Sequence, residues 1–279
     1  MMRAWLDPRR WWRHAAGLAL AALFVAPLIW MVSLSLRTPG LPPARTIEWI
    51  PQPISWGNYV RIFEIVPLAR YTLNSLVVAA MAVPLTLLTA SWAGYAMAQL
   101  GARWRGRLAA FSIALLLAPI AALWLPRFVL FTWLGLTGSY AALIAPALMG
   151  TSPLFVLLFY WAYVRLPQEM FESARLDGAG AWSVWWRVAV PLSGPTVMAV
   201  GILSFLVYWS DYINPLLYLK SPSTYTLPVG VQQLQQMDRT NWPLLMAAAV
   251  VMTLPCIGLF AVVQRYFLRD DALARREDI

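Results

Sequence analysis

The stretch Leu166–Pro195, LPQEMFESARLDGAGAWSVWWRVAVPLSGP, decides the fold of this chain. Its first part is typical of a short helix. Pro167 suits a first helical position, because its missing N–H is not needed there, and Glu169 falls in the first turn, where the helix dipole favours a carboxylate. Three apolar residues recur at helical spacing and form one apolar edge of the predicted helix: Met170, Phe171 and Ala174.

Glycines and prolines divide the remainder of the stretch. Gly178 and Gly180 interrupt the first helix, because glycine lowers helix stability and favours turns. A second short helix is expected over Trp182–Val188, before Pro191 and Pro195 stop it. The stretch is therefore predicted to be two short helices joined by a glycine hinge.

The charges of the stretch cancel, with three basic residues against three acidic ones: Arg165, Arg175, Arg187, Glu169, Glu172 and Asp177. Glu172 and Arg175 are three residues apart, so their side chains can lie side by side on the helix. A loop that only follows anionic lipid would keep a basic excess. The balanced charge therefore favours a surface that meets another protein.

These residues resemble a known motif. Glu172-Ser173-Ala174, Asp177-Gly178 and Val190-Pro191-Leu192 with Pro195 resemble the EAA loop of ABC-importer permease subunits, with Ser173 where that family more often has alanine. The resemblance implies a coupling helix that docks into a groove on a separate ATP-hydrolysing subunit. The alternative is an interfacial amphipathic helix between two membrane spans. The residues implied to couple the subunits are Met170, Phe171, Glu172, Ala174, Asp177, Gly178 and Pro191, with Met170, Phe171 and Ala174 as apolar anchors.

The composition is that of a membrane protein. Hydrophobic residues make up 61% of the 279 residues and charged residues 12%, whereas a soluble domain is about half apolar and about a quarter charged. The chain is expected to form a single transmembrane domain over residues 1–279. His14 is the only histidine and Cys256 the only cysteine, which excludes a disulfide framework and a histidine–cysteine metal cluster.

Six apolar runs predict an all-α integral membrane protein with six transmembrane helices, because about 20 apolar residues cross the hydrocarbon core. The first run has 22 residues without a charge and is expected to be an uncleaved span, since a signal peptide has a shorter apolar region. The hinge then falls in the loop 164–195. The predicted spans are about 15–36, 71–100, 108–125, 140–163, 195–219 and 244–264.

The positions of the basic residues predict the orientation. Of the 21 Lys and Arg residues, fourteen fall on the side that holds both termini and the loop 164–195, and seven fall on the other side. An excess of basic residues marks the cytoplasmic side. Both termini and the hinge are therefore expected in the cytoplasm. The formal net charge of +9 is explained by topology, so no nucleic-acid partner is expected.

Polar residues within the predicted spans are candidates for the translocation pathway, because each is costly against lipid. Asp211 is the one acidic residue in any predicted span, and Asn214 follows it. The two could bind polyols or a delivery protein at an outer portal, or Asp211 could pair with a basic group or cap a broken helix. Trp209 could stack on a sugar ring or belong to an interfacial aromatic belt. Ser210 is a further candidate, and Asn74 is either a pathway residue or a helix–helix contact.

A second set of residues resembles carbohydrate-importer permeases of the maltose type: Trp209-Ser210-Asp211-Tyr212, Tyr225–Gly230 and Asn58-Tyr59. Ser210 stands where that family more often has asparagine. The resemblance implies a type I ABC importer permease fold and the second, shorter permease of a heterodimeric pair. It also implies that the chain lies in a bacterial or archaeal cytoplasmic membrane. The implied partners are a second permease, two ATP-binding subunits and an extracytoplasmic solute-binding protein.

The chain contains no G-x-x-x-x-G-K-[ST] sequence, so it has no P-loop for nucleotide phosphates. It is therefore expected to be no enzyme and to hold no cofactor, with ATP and magnesium on the partner ATPase. The predicted function is a permease subunit of an importer for a sugar, oligosaccharide or polyol. The alternatives are a permease for another solute and, outside this class, a secondary transporter or a membrane scaffold.

Overall fold

Helices make up the regular structure, as expected of a chain that must satisfy its backbone hydrogen bonds without water. The computed structural model describes residues 8–43, 46 and 48–277, with the backbone alone at residues 8–10, 13 and 265–277. The helices in chain order are α1 (Pro8–Ser35), α2 (Gly57–Ile65), α3 (Leu68–Ala98), α4 (Ala102–Leu116), α5 (Trp124–Trp133), α6 (Ala141–Ile144), α7 (Pro153–Val164), α8 (Gln168–Leu176), α9 (Ala181–Val184), α10 (Val190–Leu192), α11 (Gly194–Trp209), α12 (Ile213–Tyr218), α13 (Leu227–Met237) and α14 (Trp242–Glu277).

Four stretches are long and apolar enough to cross a membrane: His14–Ser35, Leu68–Ala98, Ala141–Val164 and Trp242–Gln264. Two further pairs of helices meet the same criterion when each bent pair is taken as one span: Ala102–Leu116 with Ile120–Trp133, and Ala181–Leu192 with Gly194–Trp209. The chain is thus a helical membrane protein with four to six candidate spans.

The third and fifth predicted spans differ in shape from the continuous helices that were expected. After α4 the chain turns by 91° at Pro119 before the next helical segment, because proline cannot donate the hydrogen bond that would continue the helix. In the fifth predicted span, α11 ends at Trp209, and Ile213–Tyr218 forms a separate helix, α12.

The fourth predicted span, 140–163, is interrupted near its middle. Thr151 has a φ of 61°, a conformation that β-branched residues rarely adopt. Its hydroxyl is hydrogen-bonded to the hydroxyls of Thr86, at 2.5 Å, and Tyr208, at 2.8 Å. A break within an apolar segment is stable only when its polar groups find partners inside the protein. Side chains from the second and fifth candidate spans supply these partners.

The chain divides into two compact units. The first holds the described residues up to Leu68 together with Gly230–Pro255. Within it the buried side chain of Asn58 donates to the carbonyl of Ser35 at 2.8 Å and to that of Arg37 at 2.7 Å. These two hydrogen bonds hold the start of α2 against the end of α1.

The second unit, Ala69–Val229 with the described residues from Cys256 onward, is held by a close approach of α3 and α7. A Cβ on Gly94 would lie 2.7 Å from the Cβ of Phe159, 2.8 Å from the nitrogen of Tyr160 and 2.9 Å from the oxygen of Val156. Two of these atoms are backbone atoms, which cannot rotate away. Only glycine therefore permits this packing. A buried cluster forms beside it and includes Tyr95, Phe159, Tyr163, Phe171, Val184 and Trp185.

We predict that Gly94→Ala lowers the free energy of unfolding by about 1–3 kcal/mol, because an overpacked site must strain its neighbours. Thermal unfolding of the detergent-solubilised chain would show this as a lower Tm. Gly106→Ala is the matched control, since it lies in α4 with open space around its Cβ position. An unchanged Tm for Gly94→Ala would contradict the close packing of α3 on α7.

Candidate functional site

The hinge loop, residues 165–193, joins α7 to α11. Pro167 is the residue before α8, one position earlier than expected, and Glu169 lies in the first turn. The helix ends in a Schellman motif: the Ala179 N–H donates to the carbonyl of Ala174 at 3.0 Å, and Gly178 has a φ of 82°. This left-handed conformation is open to glycine at little cost. The predicted glycine break is therefore confirmed at Gly178.

The second helix of the hinge loop is longer than expected. It runs from Ala181 to Leu192 and includes a π-helical turn at Trp185–Ala189. The prediction that Pro191 stops the helix is wrong, because the π-turn accommodates the missing N–H of the proline. The helix ends at Ser193 instead, where the chain turns by 85° into α11.

The apolar edge of α8 packs inward. Phe171 is fully buried, with its ring centroid 6.1 Å from that of Tyr95 on α3. Ala174 is half-buried in the same cluster. These two side chains therefore pack within this chain and are not free to anchor a partner, contrary to the expectation from sequence. Met170, at the margin of this face, is 40% exposed.

The opposite face of α8 is exposed and acidic. Glu169, Glu172, Ser173 and Leu176 follow the spacing of one helical face, and all are exposed. Leu176 is 89% exposed, which is unusual for a leucine in a helix that buries its other face. Sequence reasoning missed Leu176, although its place seven residues after Glu169 puts it on this face. The surface continues into the exposed Asp177 and Gly178, and we call it the outward face of α8.

Arg175 and Glu172, which the sequence allowed to lie side by side, form no ion pair. The Arg175 guanidinium donates instead to the Oε1 of Gln99, in the turn after α3. Among the side chains that the structure describes, Arg37 and Glu48 form the one ion pair within 4.0 Å, with the Arg37 Nε 3.1 Å from the Glu48 Oε2. The carboxylate of Glu172 is therefore left to solvent or to a partner.

Asp211 caps a broken helix, which is one of the alternatives that its sequence position left open. One carboxylate oxygen accepts from the backbone N–H of Asn214 at 3.2 Å, and the other accepts from the Asn214 side-chain amide at 2.8 Å. The buried Oδ1 of Asn214 has no hydrogen-bond partner within the described residues.

The structure gives Trp209 and Ser210 local roles. Trp209 is 1% exposed and stacks on Phe205, with the ring centroids 5.5 Å apart. A sugar ring cannot reach it in this conformation. The hydroxyl of Ser210, which is exposed, donates to the carbonyl of Leu206 at 2.6 Å.

Asn74 ties α3 to the loop that follows α12. Its amide donates to the carbonyls of Ser223, at 3.1 Å, and Tyr225, at 2.8 Å. The neighbouring Ser75 hydroxyl accepts the backbone N–H of Leu227 at 2.9 Å. These contacts explain why two polar residues lie near the start of an apolar span.

A cavity of about 480 Å³ lies among α3, α11 and α14. It offers no side-chain group that could hydrogen-bond the hydroxyls of a sugar, because every residue around it is apolar. The cavity is lined by Leu76, Ala79, Ala80, Val83, Pro84, Leu87, Val197, Met198, Gly201, Ile202, Phe205, Leu259 and Val263.

In the described part of the chain, no group of three or more His, Cys, Asp and Glu residues could hold a metal ion.

Residues 87–270 match the family described as binding-protein-dependent transport system inner membrane component. The chain is 32% identical over 252 residues to the sulfoquinovosyl glycerol transport system permease protein SmoH of Agrobacterium fabrum, which covers 90% of this chain and 88% of that protein. It is 31% identical over 261 residues to the arabinooligosaccharides transport system permease protein AraQ of Halalkalibacterium halodurans, with 92% and 93% covered.

Solved structures share the fold. A chain of a bacterial ABC transporter involved in the import of the acidic polysaccharide alginate superposes with a TM-score of 0.73 at 21% identity, covering 93% of this chain and 97% of that one. A bacterial alginate ABC transporter in complex with a pentasaccharide-bound periplasmic protein gives a TM-score of 0.62 at 16% identity, covering 93% and 95%.

We predict that Gly178→Ala loosens the end of α8, because an L-residue at a φ of 82° costs about 1 kcal/mol or more. Hydrogen exchange at the Ala179 amide, which closes the Schellman motif, would become faster. Gly180→Ala is the matched control, since Gly180 has a φ of −69° and open space around its Cβ position. Equal exchange in the two variants would contradict the need for glycine at this left-handed turn.

Proposed function

Because this chain belongs to the family of inner membrane components of binding-protein-dependent transport systems, we propose that it serves an ATP-driven importer for sugars or oligosaccharides. As a member of this family, it is a multi-pass permease of the inner membrane and not itself an enzyme. The names of its relatives support the solute class: they are permeases for sulfoquinovosyl glycerol, arabinooligosaccharides and lactose.

The topology that we propose has six spans: the four long apolar stretches, the bent pair around Pro119, and α11, because Ala181–Leu192 belongs to the hinge loop. An even number of spans places both termini on one side, and the basic residues make that side the cytoplasm. The hinge loop is then cytoplasmic, where an ATPase can reach it. The break at Asp211 lies at the opposite side, towards the extracytoplasmic solute-binding protein. The other proposed partners are a second permease, two ATP-binding subunits and membrane lipid, which surrounds the spans.

The outward face of α8 is the observation that supports coupling to an ATPase. It carries two carboxylates, from Glu169 and Glu172, and the protruding side chain of Leu176. A complementary groove has basic residues at its rim and an apolar hole for the leucine. Leu176 thus replaces Phe171 and Ala174 as the apolar anchor. Met170, Glu172, Asp177 and Gly178 remain proposed coupling residues, and Pro191 shapes the second helix of the hinge loop.

The proposed mechanism is a rigid-body movement. ATP binding closes the two ATPase subunits and displaces α8, which is docked on them. The spans on either side of the hinge loop, which include α7 and α11, rotate with α8, and this rotation changes the side of the membrane to which the translocation pathway opens. At the outer break, Asp211 and Asn214 remain proposed residues of the solute pathway, which a change of conformation would have to uncover because the Oδ1 of Asn214 is buried.

We predict that Leu176→Ser weakens binding of the ATPase by about 2 kcal/mol, which is roughly a thirtyfold loss of affinity. The reason is the loss of an apolar anchor that the ATPase would bury in the complex. Glu172→Ala is expected to weaken it as well and to reduce its dependence on salt. Co-purification of the ATPase with the solubilised chain measures both effects.

Leu100→Ser is the control for this experiment, since Leu100 is an exposed leucine between α3 and α4 outside the outward face of α8. Undiminished recovery of the ATPase with both α8 variants would exclude this face as the docking surface. Purification of the unaltered chain without any ATPase would contradict the proposed coupling role.

The solute class is tested with the complete complex in liposomes and its solute-binding protein outside. We predict that a sugar or oligosaccharide stimulates ATP hydrolysis and accumulates inside, because loaded binding protein favours the transport cycle. Stimulation by a non-carbohydrate solute alone would support the alternative permease function. Uptake driven by an ion gradient without ATP would indicate a secondary transporter.

A further inference from the structure

Three buried side chains from three separate elements share hydrogen bonds where the hinge loop meets α3. The hydroxyl of Ser91 on α3 lies 2.5 Å from the hydroxyl of Tyr163, at the end of α7. The indole N–H of Trp185, in the π-turn of the hinge loop, donates to the same Ser91 oxygen at 2.9 Å. All three residues are buried. We call them the Ser91 trio.

The Ser91 oxygen is the centre of the trio. An indole N–H can only donate, whereas a serine hydroxyl can accept one hydrogen bond and donate another. Ser91 therefore accepts from Trp185 and shares a hydrogen bond with Tyr163, whose hydroxyl also lies within reach of Ser193. None of the three groups is exposed to water, so a movement that separates them would leave buried polar groups without partners.

Contacts along α3 extend the trio to α8. Tyr95, one turn after Ser91, has its ring centroid 6.0 Å from that of Tyr163 and 6.1 Å from that of Phe171 on α8. Gln99, one turn later, accepts from Arg175. Ser91, Tyr95 and Gln99 are four residues apart, about 6 Å per step along a helix. One face of α3 and its following turn thus contacts both helices of the hinge loop.

The surrounding packing makes these contacts rigid. Trp185 lies between other indole rings, with centroids 5.0 Å from Trp92 and 4.6 Å from Trp182. The approach of α3 to α7 at Gly94 joins the same two helices that Ser91 and Tyr163 join. The 85° turn into α11 follows only a few residues after Trp185. Displacing the hinge loop by itself would therefore break several buried contacts at once.

We propose that Ser91 is a positioning residue that makes α3, α7 and the hinge loop move as one body. A displacement imposed on α8 then reaches the second, fourth and fifth spans together. This inference rests on the proposed function, since the ATPase supplies the displacement. Ser91 touches neither the outward face of α8 nor the outer break. It acts through Trp185 and Tyr163.

A merely structural role gives a different result from a positioning role. If Ser91 only stabilised the fold, its removal would lower ATP hydrolysis and transport in proportion to the loss of folded complex. If Ser91 transmits movement, the complex still assembles and hydrolyses ATP, while less solute moves for each ATP consumed. The ratio of solute transported to ATP hydrolysed therefore separates the two roles.

The experiment measures this ratio for the complete complex in liposomes with its solute-binding protein, using the transported sugar. We expect Ser91→Ala and Tyr163→Phe each to lower the ratio about fivefold. The double variant is expected to fall no further than the lower single variant, because both changes break the same connection. Ser204→Ala is the matched control: its hydroxyl is equally buried but donates only to Gly201 of its own helix, at 3.1 Å.

An unchanged ratio in Ser91→Ala would overturn the inference. So would a proportional fall of transport and hydrolysis together with a lower Tm, or strictly additive effects in the double variant. Failure of the unaltered complex to contain an ATPase would contradict the proposed function instead, which makes the two failures distinguishable.

Discussion

The close approach of α3 and α7 at Gly94 is the constraint on which the rest of this end of the molecule depends. Because backbone atoms of α7 occupy the space that a side chain would need, the two helices are held at a fixed distance. Ser91 and Tyr95 lie on α3 on either side of this contact and reach Tyr163 on α7. The hinge loop is then placed by what this pair of helices offers to Trp185 and Phe171.

Interruptions of the candidate spans follow a single physical rule. In an apolar environment each break leaves backbone groups without helical partners, and the protein must supply others. At Thr151 the neighbouring hydroxyls come from Thr86 and Tyr208. At the break after α11 the carboxylate of Asp211 caps α12 through Asn214. Polar residues that look like a solute pathway in the sequence therefore also hold the backbone where the helices stop.

The two faces of α8 differ in burial: one packs on this chain and the other is exposed. The apolar edge around Phe171 packs within the chain. The outward face, with Glu172 and Leu176 exposed, is the surface that we propose for a separate ATPase subunit. A helix that packs on its own chain with one face and exposes the other face can transmit a force from a bound partner to the helices behind it. This arrangement agrees with membership in a family of transport permeases.

The sequence by itself determined the class of protein, the approximate spans and the hinge. Long apolar runs admit few structures other than membrane helices. The predicted break of the helix at Gly178 is confirmed by the positive φ of that residue. The resemblance of the hinge to ABC-importer permeases is confirmed by the family match. Only the tertiary structure decided which face of α8 is free. An apolar edge can pack on a partner or on its own chain, and the choice depends on Tyr95, more than 70 residues away. The capping partner of Asp211, Asn214, lies only three residues away, but the local sequence does not show that the helix breaks at this point or that Trp209 is buried.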